Sequence, residues 1–223
     1  MFDLRSVPIP NYTRKEDIVN SATHAPGVLF AVVACLMSLF KLGGAITGAQ
    51  LAAVLIYSVC TLILYFGSAY YHGLRPGFAK QVARVLDHSN VFLMITGSLS
   101  AFYLLGVIPV KRTLGIVLFV LSWVVTAVGI LLTFMSQERF KAVQMALYMV
   151  LGWSALLGLN CVRTSCPDGR RLAFFVLLGG IVYSVGAVLY GVGKKVPYIH
   201  AVFHIFILAG TVLQFYGIYE FAL

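Results

Sequence analysis

Apolar residues fill seven long runs of the chain, at about 25–42, 49–71, 88–108, 113–134, 141–161, 172–193 and 198–222. The polar, glycine and proline residues collect in the breaks between them. A helix needs about 20 apolar residues to cross the hydrocarbon core of a bilayer, and each run is close to that length. The pattern therefore predicts an all-α integral membrane protein, a seven-transmembrane helix bundle. The breaks run from Gly43 to Gly48, Gly73 to Asp87, Pro109 to Arg112, Met135 to Phe140, Val162 to Arg171 and Lys194 to Pro197. Only the second has room to fold over anything. No repeat or low-complexity tract divides the chain, so residues 25–223 read as a single seven-helix domain preceded by a polar segment, 1–24.

Composition agrees with this reading. Of 223 residues, 61% are hydrophobic and 10% charged, against roughly 25% charged in soluble domains. The net charge of +9 in a soluble protein would suggest a polyanion. Here the basic residues lie between the apolar runs, where they read as topology signals and not as a nucleic-acid surface. Met1 to His24 contains Asp3, Arg5, Pro8, Pro10, Arg14, Lys15, Glu16 and Asp17 with no apolar core of a signal peptide, so the first run is expected to be a genuine span.

Alternating the breaks between two sides sets Arg5, Arg14, Lys15, Arg75, Lys80, Arg84, Arg139, Lys141, Lys194 and Lys195 against Lys41, Lys111, Arg112, Arg163, Arg170 and Arg171. The richer side is expected to be cytoplasmic, which puts the N-terminus in the cytoplasm and the C-terminus outside.

Ionisable groups within spans cost a few kcal/mol each on insertion scales and call for a partner or a function. Seven alternating spans bring His72 at the end of the second, Asp87-His88 at the start of the third and His200 at the start of the seventh to one leaflet, whichever side is inside. His200 and His204 are four residues apart, so a helix places both imidazoles on one face, about 6 Å apart along its axis. That spacing suits two ligands of one metal, with His72 the natural third. The alternative is a pair of buried histidines satisfied by backbone or hydroxyl groups. Zinc favours tetrahedral nitrogen, sulfur and oxygen donors, and a catalytic zinc keeps three protein ligands and an open position. Ser68 precedes His72 by one turn and faces the same way; serine in such a helix usually bonds its own i−4 carbonyl. Asp87 could cap the third span. The depth both share with the histidines points instead to a role in catalysis or in supporting the metal ligands. Glu16 and His24 are candidates for polar lining, with capping and surface roles as the plainer reading. Cys35 and Cys60 read as packing residues. Cys161 and Cys166 flank one break, where an oxidising compartment would permit a disulfide.

These residues resemble a known family, the progestin and adiponectin receptors with their bacterial hemolysin III members. Glu16-x3-Asn20-x2-Thr23-His24 is similar to the family's first motif and Ser68-Ala69-Tyr70-Tyr71-His72 to its second. Leu86-Asp87-His88-Ser89 matches the third, and His200-x3-His204 followed by Leu208-Ala209-Gly210 the last. The short polar entry resembles the bacterial branch, and with it a bacterial cytoplasmic membrane. One departure is Gly97-Ser98-Leu99-Ser100-Ala101, where relatives often read Gly-Thr-Tyr-Thr-Pro. The resemblance implies a cytoplasmic N-terminus, zinc held by His72, His200 and His204, and motif roles for Ser68 and Asp87.

Two functions follow as expectations. One is a zinc-dependent intramembrane hydrolase of lipid amide or ester bonds, ceramidase-like, with membrane lipid as substrate, Asp87 handling the water proton and Ser68 orienting water or steadying the oxyanion. The other is a non-enzymatic membrane regulator or membrane-perturbing hemolysin with structural zinc. A closed fourth ligand, Asp87 foremost, would favour the second; an open position favours the first.

Overall fold

Among the described residues, seven helices are long and apolar enough to cross a membrane, those of a multi-pass integral membrane protein seen here in a computed structural model. Residues 4–192 and 196–223 are described; Asp3, Lys194 and Lys195, which entered the reading of charge and topology, lie outside them. Among the described residues there is no strand. After a short 3₁₀ turn at Leu4–Ser6 come α1 (Arg14–Leu42), α2 (Gly48–Gly73), α3 (Phe78–Phe102), α4 (Arg112–Ser136), α5 (Lys141–Trp153), α6 (Leu156–Ser165), α7 (Gly169–Val192) and α8 (Ile199–Phe221). The fifth span is α5 and α6 together, broken at Ser154-Ala155.

α1 and α4 turn mainly small or polar residues inward and bulky apolar ones outward, the arrangement expected when lipid is the solvent and helices associate by close packing, whereas α2 and α3 also bury Tyr65, Phe92 and Phe102. In α1 the inward stripe is Asp17, Asn20, His24, Gly27, Ala31, Ala34 and Ser38; in α4 it is Gly115, Leu118, Ser122, Thr126, Gly129 and Thr133. The outward faces carry residues such as Leu29, Phe40, Leu157 and Val188. The chain packs as a ring of neighbours, α1 on α2, α2 on α3, α3 on α4 and α7 on α8, closed by α1 on α8; α3 is the most enclosed.

Two helix starts differ from the expected boundaries. α1 begins at Arg14, where Thr13 and Glu16 form a capping box, and not near residue 25. α3 begins at Phe78, so the loop expected from Gly73 to Asp87 shrinks to Leu74–Gly77, and Asp87 lies well inside the helix rather than capping it. The physical reason is shared. The charges that end an apolar run in the sequence, Asp17, Lys80 and Arg84, are buried and paired inside the bundle. Lys80 and Arg84, counted above as loop charges, are therefore interior groups of α3.

The third span ends in a π-helical turn, Tyr103–Val107, ahead of Pro109. Its Tyr103 hydroxyl lies 2.8 Å from Ser154 Oγ, at the break between α5 and α6. Two backbone irregularities are thus set against each other inside the protein, where protein groups rather than lipid meet the freed backbone. Cys161 and Cys166 are free thiols; burial pushes Cys166 up, and its Sγ faces the Gly106 carbonyl at 3.7 Å.

Gly27 decides how closely α1 and α2 approach. A Cβ there would meet the Tyr65 ring at 2.3 Å, and that ring is held by its hydroxyl, 2.6 Å from Thr211 Oγ1 on α8. Gly27→Ala is expected to destabilise the bundle by about 1–3 kcal/mol through overpacking. Gly44→Ala, whose Cβ would meet nothing within 4 Å, serves as control. Thermal unfolding in detergent checks this: equal melting temperatures would show that the Tyr65 contact yields freely.

Candidate metal centre and cavity

α2 ends and α8 begins at the same end of the bundle, and this brings His72 beside His200 and His204. The three rings are buried, with centroids 5.2, 5.2 and 4.5 Å apart. One nitrogen from each lies within 4.8 Å of the others, close enough to hold a metal ion. No fourth histidine, cysteine, aspartate or glutamate joins them among the described residues.

The groups behind the rings set which nitrogen faces inward. His72 Nδ1 lies 3.1 Å from Asp17 Oδ1, so its proton sits on Nδ1, and the buried Nε2 has no hydrogen-bond partner among the described residues. His204 Nδ1 donates to the Asn20 carbonyl at 3.0 Å, with Thr23 Oγ1 at 3.1 Å, which leaves Nε2 unprotonated. A neutral imidazole fixed in this way by a carboxylate or carbonyl is the usual arrangement behind a metal-bound histidine. Lys80 binds the other Asp17 oxygen and the Leu74 carbonyl at 3.1 Å. Tyr12 stacks on His200 at 5.4 Å and also faces His72, covering the cluster from the loop side. Burial, followed by the charge of Tyr190, pushes the Tyr12 phenol up, so it stays protonated across the physiological range.

The remaining expected residues gather around the same place. Ser68 is buried one turn from His72, its hydroxyl without a hydrogen-bond partner of standard geometry among the described residues. Asp87 faces Ser68 and lies within electrostatic reach of His72 and Arg84. His24 is not a surface residue: its ring is buried and stacks on His204 at 3.6 Å, and neither nitrogen has a hydrogen-bond partner among the described residues. Glu16 is the partner of the N-cap Thr13 in the capping box at the exposed start of α1. His88 stands apart from the cluster, bonded to the Arg84 carbonyl at 3.0 Å and to the Tyr190 hydroxyl at 3.2 Å.

A cavity of about 180 Å³ opens from this cluster, walled by α3, α5, α7 and α8. Ser68, Asp87, His24, His200 and His204 line one part; Met94, Leu99, Phe102, Val176 and Ile207 line another.

The motifs spread over α1, α2, α3 and α8 match one family along most of the chain, the haemolysin-III related proteins, over residues 12–215. The chain belongs to the haemolysin-III related family. Within it, the chain is 32% identical to the Hemolysin-3 homolog of Bacillus subtilis (strain 168), covering 92% of this chain and 93% of that protein. It is 27% identical to Hemolysin-3 of Bacillus cereus, over 94% and 93%. The human Monocyte to macrophage differentiation factor is 27% identical over 44% of this chain and 40% of its own length, a partial likeness to the receptor side of the family.

For this haemolysin-III related chain, Asp17, Lys80 and Tyr12 are the site residues that sequence reasoning missed. Asp17 was findable. It opens a stripe with Asn20, His24 and Gly27 at spacings of three and four, which puts all of them on one helical face.

Proposed function

We propose that this protein is a zinc-dependent hydrolase of amide or ester bonds in membrane lipids, working in the cytoplasmic membrane of a bacterium. One observation carries the reading: three histidine nitrogens lie close enough to hold one ion, with no fourth side-chain ligand among the described residues, and two of the three, His200 and His204, line a mainly apolar cavity that also presents Ser68 and Asp87. The donor set fits zinc, since His72 and His204 are each held in the metal-binding tautomer. Bound to three nitrogens, zinc supplies a Lewis acid that polarises a carbonyl and acidifies water.

The chain's own residues do the rest. Asp87 accepts the proton of the attacking water and returns it to the leaving amine or alcohol. Ser68 donates a hydrogen bond to the developing oxyanion or orients the water. The apolar wall formed by Met94, Leu99 and Phe102 holds an acyl chain away from water.

Ser68→Ala and Asp87→Asn are expected to retain metal while turnover falls by about 10²–10⁴-fold, the usual worth of a positioned acid or base. Release of fatty acid from ceramide and from acyl esters by the purified protein, read by mass spectrometry, checks this. Unchanged turnover in both variants would remove them from the mechanism. A second reading comes from the names of the Bacillus relatives: a membrane-perturbing protein whose zinc is structural. It requires haemolysis that persists in Ser68→Ala and Asp87→Asn and stops when the histidines are replaced.

A further inference from the structure

The cavity is also lined, beside Asp87, by a set of polar groups that the hydrolytic reading does not use. Arg84 comes from α3, Gln137 from the turn between α4 and α5, and Gln144 and Lys141 from α5. Arg84 is 3% exposed, Gln137 6% and Gln144 2%, and Arg84 Nε, Gln137 Oε1 and Gln144 Nε2 have no hydrogen-bond partner among the described residues. Buried polar atoms are nearly always paired, so three such atoms on residues lining one cavity mark the place of a polar ligand. The Arg84 Nη2 donates to Glu138 at 3.0 Å, but that carboxylate is 48% exposed and uses one edge of the guanidinium only. An ion pair tying α3 to the α4–α5 turn would account for Glu138 and would leave both glutamines unexplained.

We propose that this set of groups binds the phosphate of a phospholipid headgroup, which makes the substrate an acyl lipid carrying phosphate. This rests on the lipid hydrolase reading above. The chemistry selects the anion. Arg84 and Lys141 offset the charges of Glu138 and of Asp87 one turn away, and the Arg84 Nε and Gln144 NH₂, both buried without a hydrogen-bond partner among the described residues, are N–H donors of the kind a phosphate accepts. Gln137 Oε1 is left to accept from a headgroup hydroxyl. The depth is also right. Glu138 reaches the outside while Arg84 is buried one turn from Asp87, so a headgroup seated here lays its first acyl linkage toward the histidines and its chain along the apolar wall.

Binding, not turnover, tests this. The full-length protein in mild detergent is titrated with dioleoyl phosphatidylglycerol, dioleoylglycerol and inorganic phosphate, followed by native mass spectrometry and thermal shift. Phosphatidylglycerol is expected to bind about tenfold tighter than dioleoylglycerol, and Arg84→Gln and Gln144→Leu each to abolish most of that preference. Metal content and melting temperature show that each variant is folded, and Gln144→Leu, which removes no charge, stands if Arg84→Gln unfolds. The preference persists in His200→Ala/His204→Ala, so failure of the metal reading and failure of this one are separate results. Equal binding of the two lipids, or a preference unchanged in Gln144→Leu, overturns the proposal. Inorganic phosphate binding with the same Arg84 dependence, and no lipid preference, makes this a free-phosphate site and overturns it as well.

Discussion

His200→Ala and His204→Ala are each expected to strip the protein of bound metal: under the proposed zinc reading, elemental analysis of protein purified without chelator gives about one zinc per chain in wild type and near none in the variants. The loss exceeds the roughly 10–100-fold drop in affinity that changes behind a ligand produce, because one of three donors is gone outright. Alanine preserves the helix, so α8 stays in place and what disappears is the ligand set itself. His88→Ala is the internal control. It removes a brace between the Arg84 carbonyl and Tyr190, so stability falls while metal stays. Stoichiometric zinc retained in His200→Ala/His204→Ala would make these histidines packing residues and end the hydrolase reading with them.

The helical pair at His200 and His204 was visible in the sequence because a four-residue spacing fixes two side chains on one face without any knowledge of tertiary structure. His72 followed from the alternation of spans alone. The seven runs were equally legible, since lipid-facing residues must be apolar over a set length. What hydropathy hid was the inward face. Asp17, Lys80 and Arg84 are charged and so read as the ends of runs, yet they are buried where they meet one another, His72 and Glu138. A run of hydropathy cannot distinguish a charge in water from a charge with an interior partner. Asp17 finds its partners on α2 and α3 and Arg84 finds its own in the α4–α5 turn, juxtapositions that no single stretch of sequence contains. The π turn at Tyr103–Val107 escaped for a similar reason: its partner is a break in a different span.

Asp17 gives the sharpest test of that hidden interior, because it touches both the metal centre and the fold. Its two oxygens serve different groups, one bonding His72 Nδ1 and the other Lys80. Asp17→Ala removes the acceptor that holds the His72 ring and leaves a buried ammonium with no counter-charge. Zinc affinity is expected to fall about 10–100-fold. Stability falls by about 3–5 kcal/mol, the cost of stranding one partner of a buried pair. The two effects separate in Asp17→Asn/Lys80→Met. That variant buries no unpaired charge, so the melting temperature recovers most of its loss. The amide oxygen introduced there can still accept from His72 but carries no charge, so zinc binding stays below wild type. Melting curves and competitive zinc titration on the same preparations read both quantities. If Asp17→Ala binds zinc as tightly as wild type, the carboxylate serves only the fold, and His72 is oriented by the packing of α2 alone.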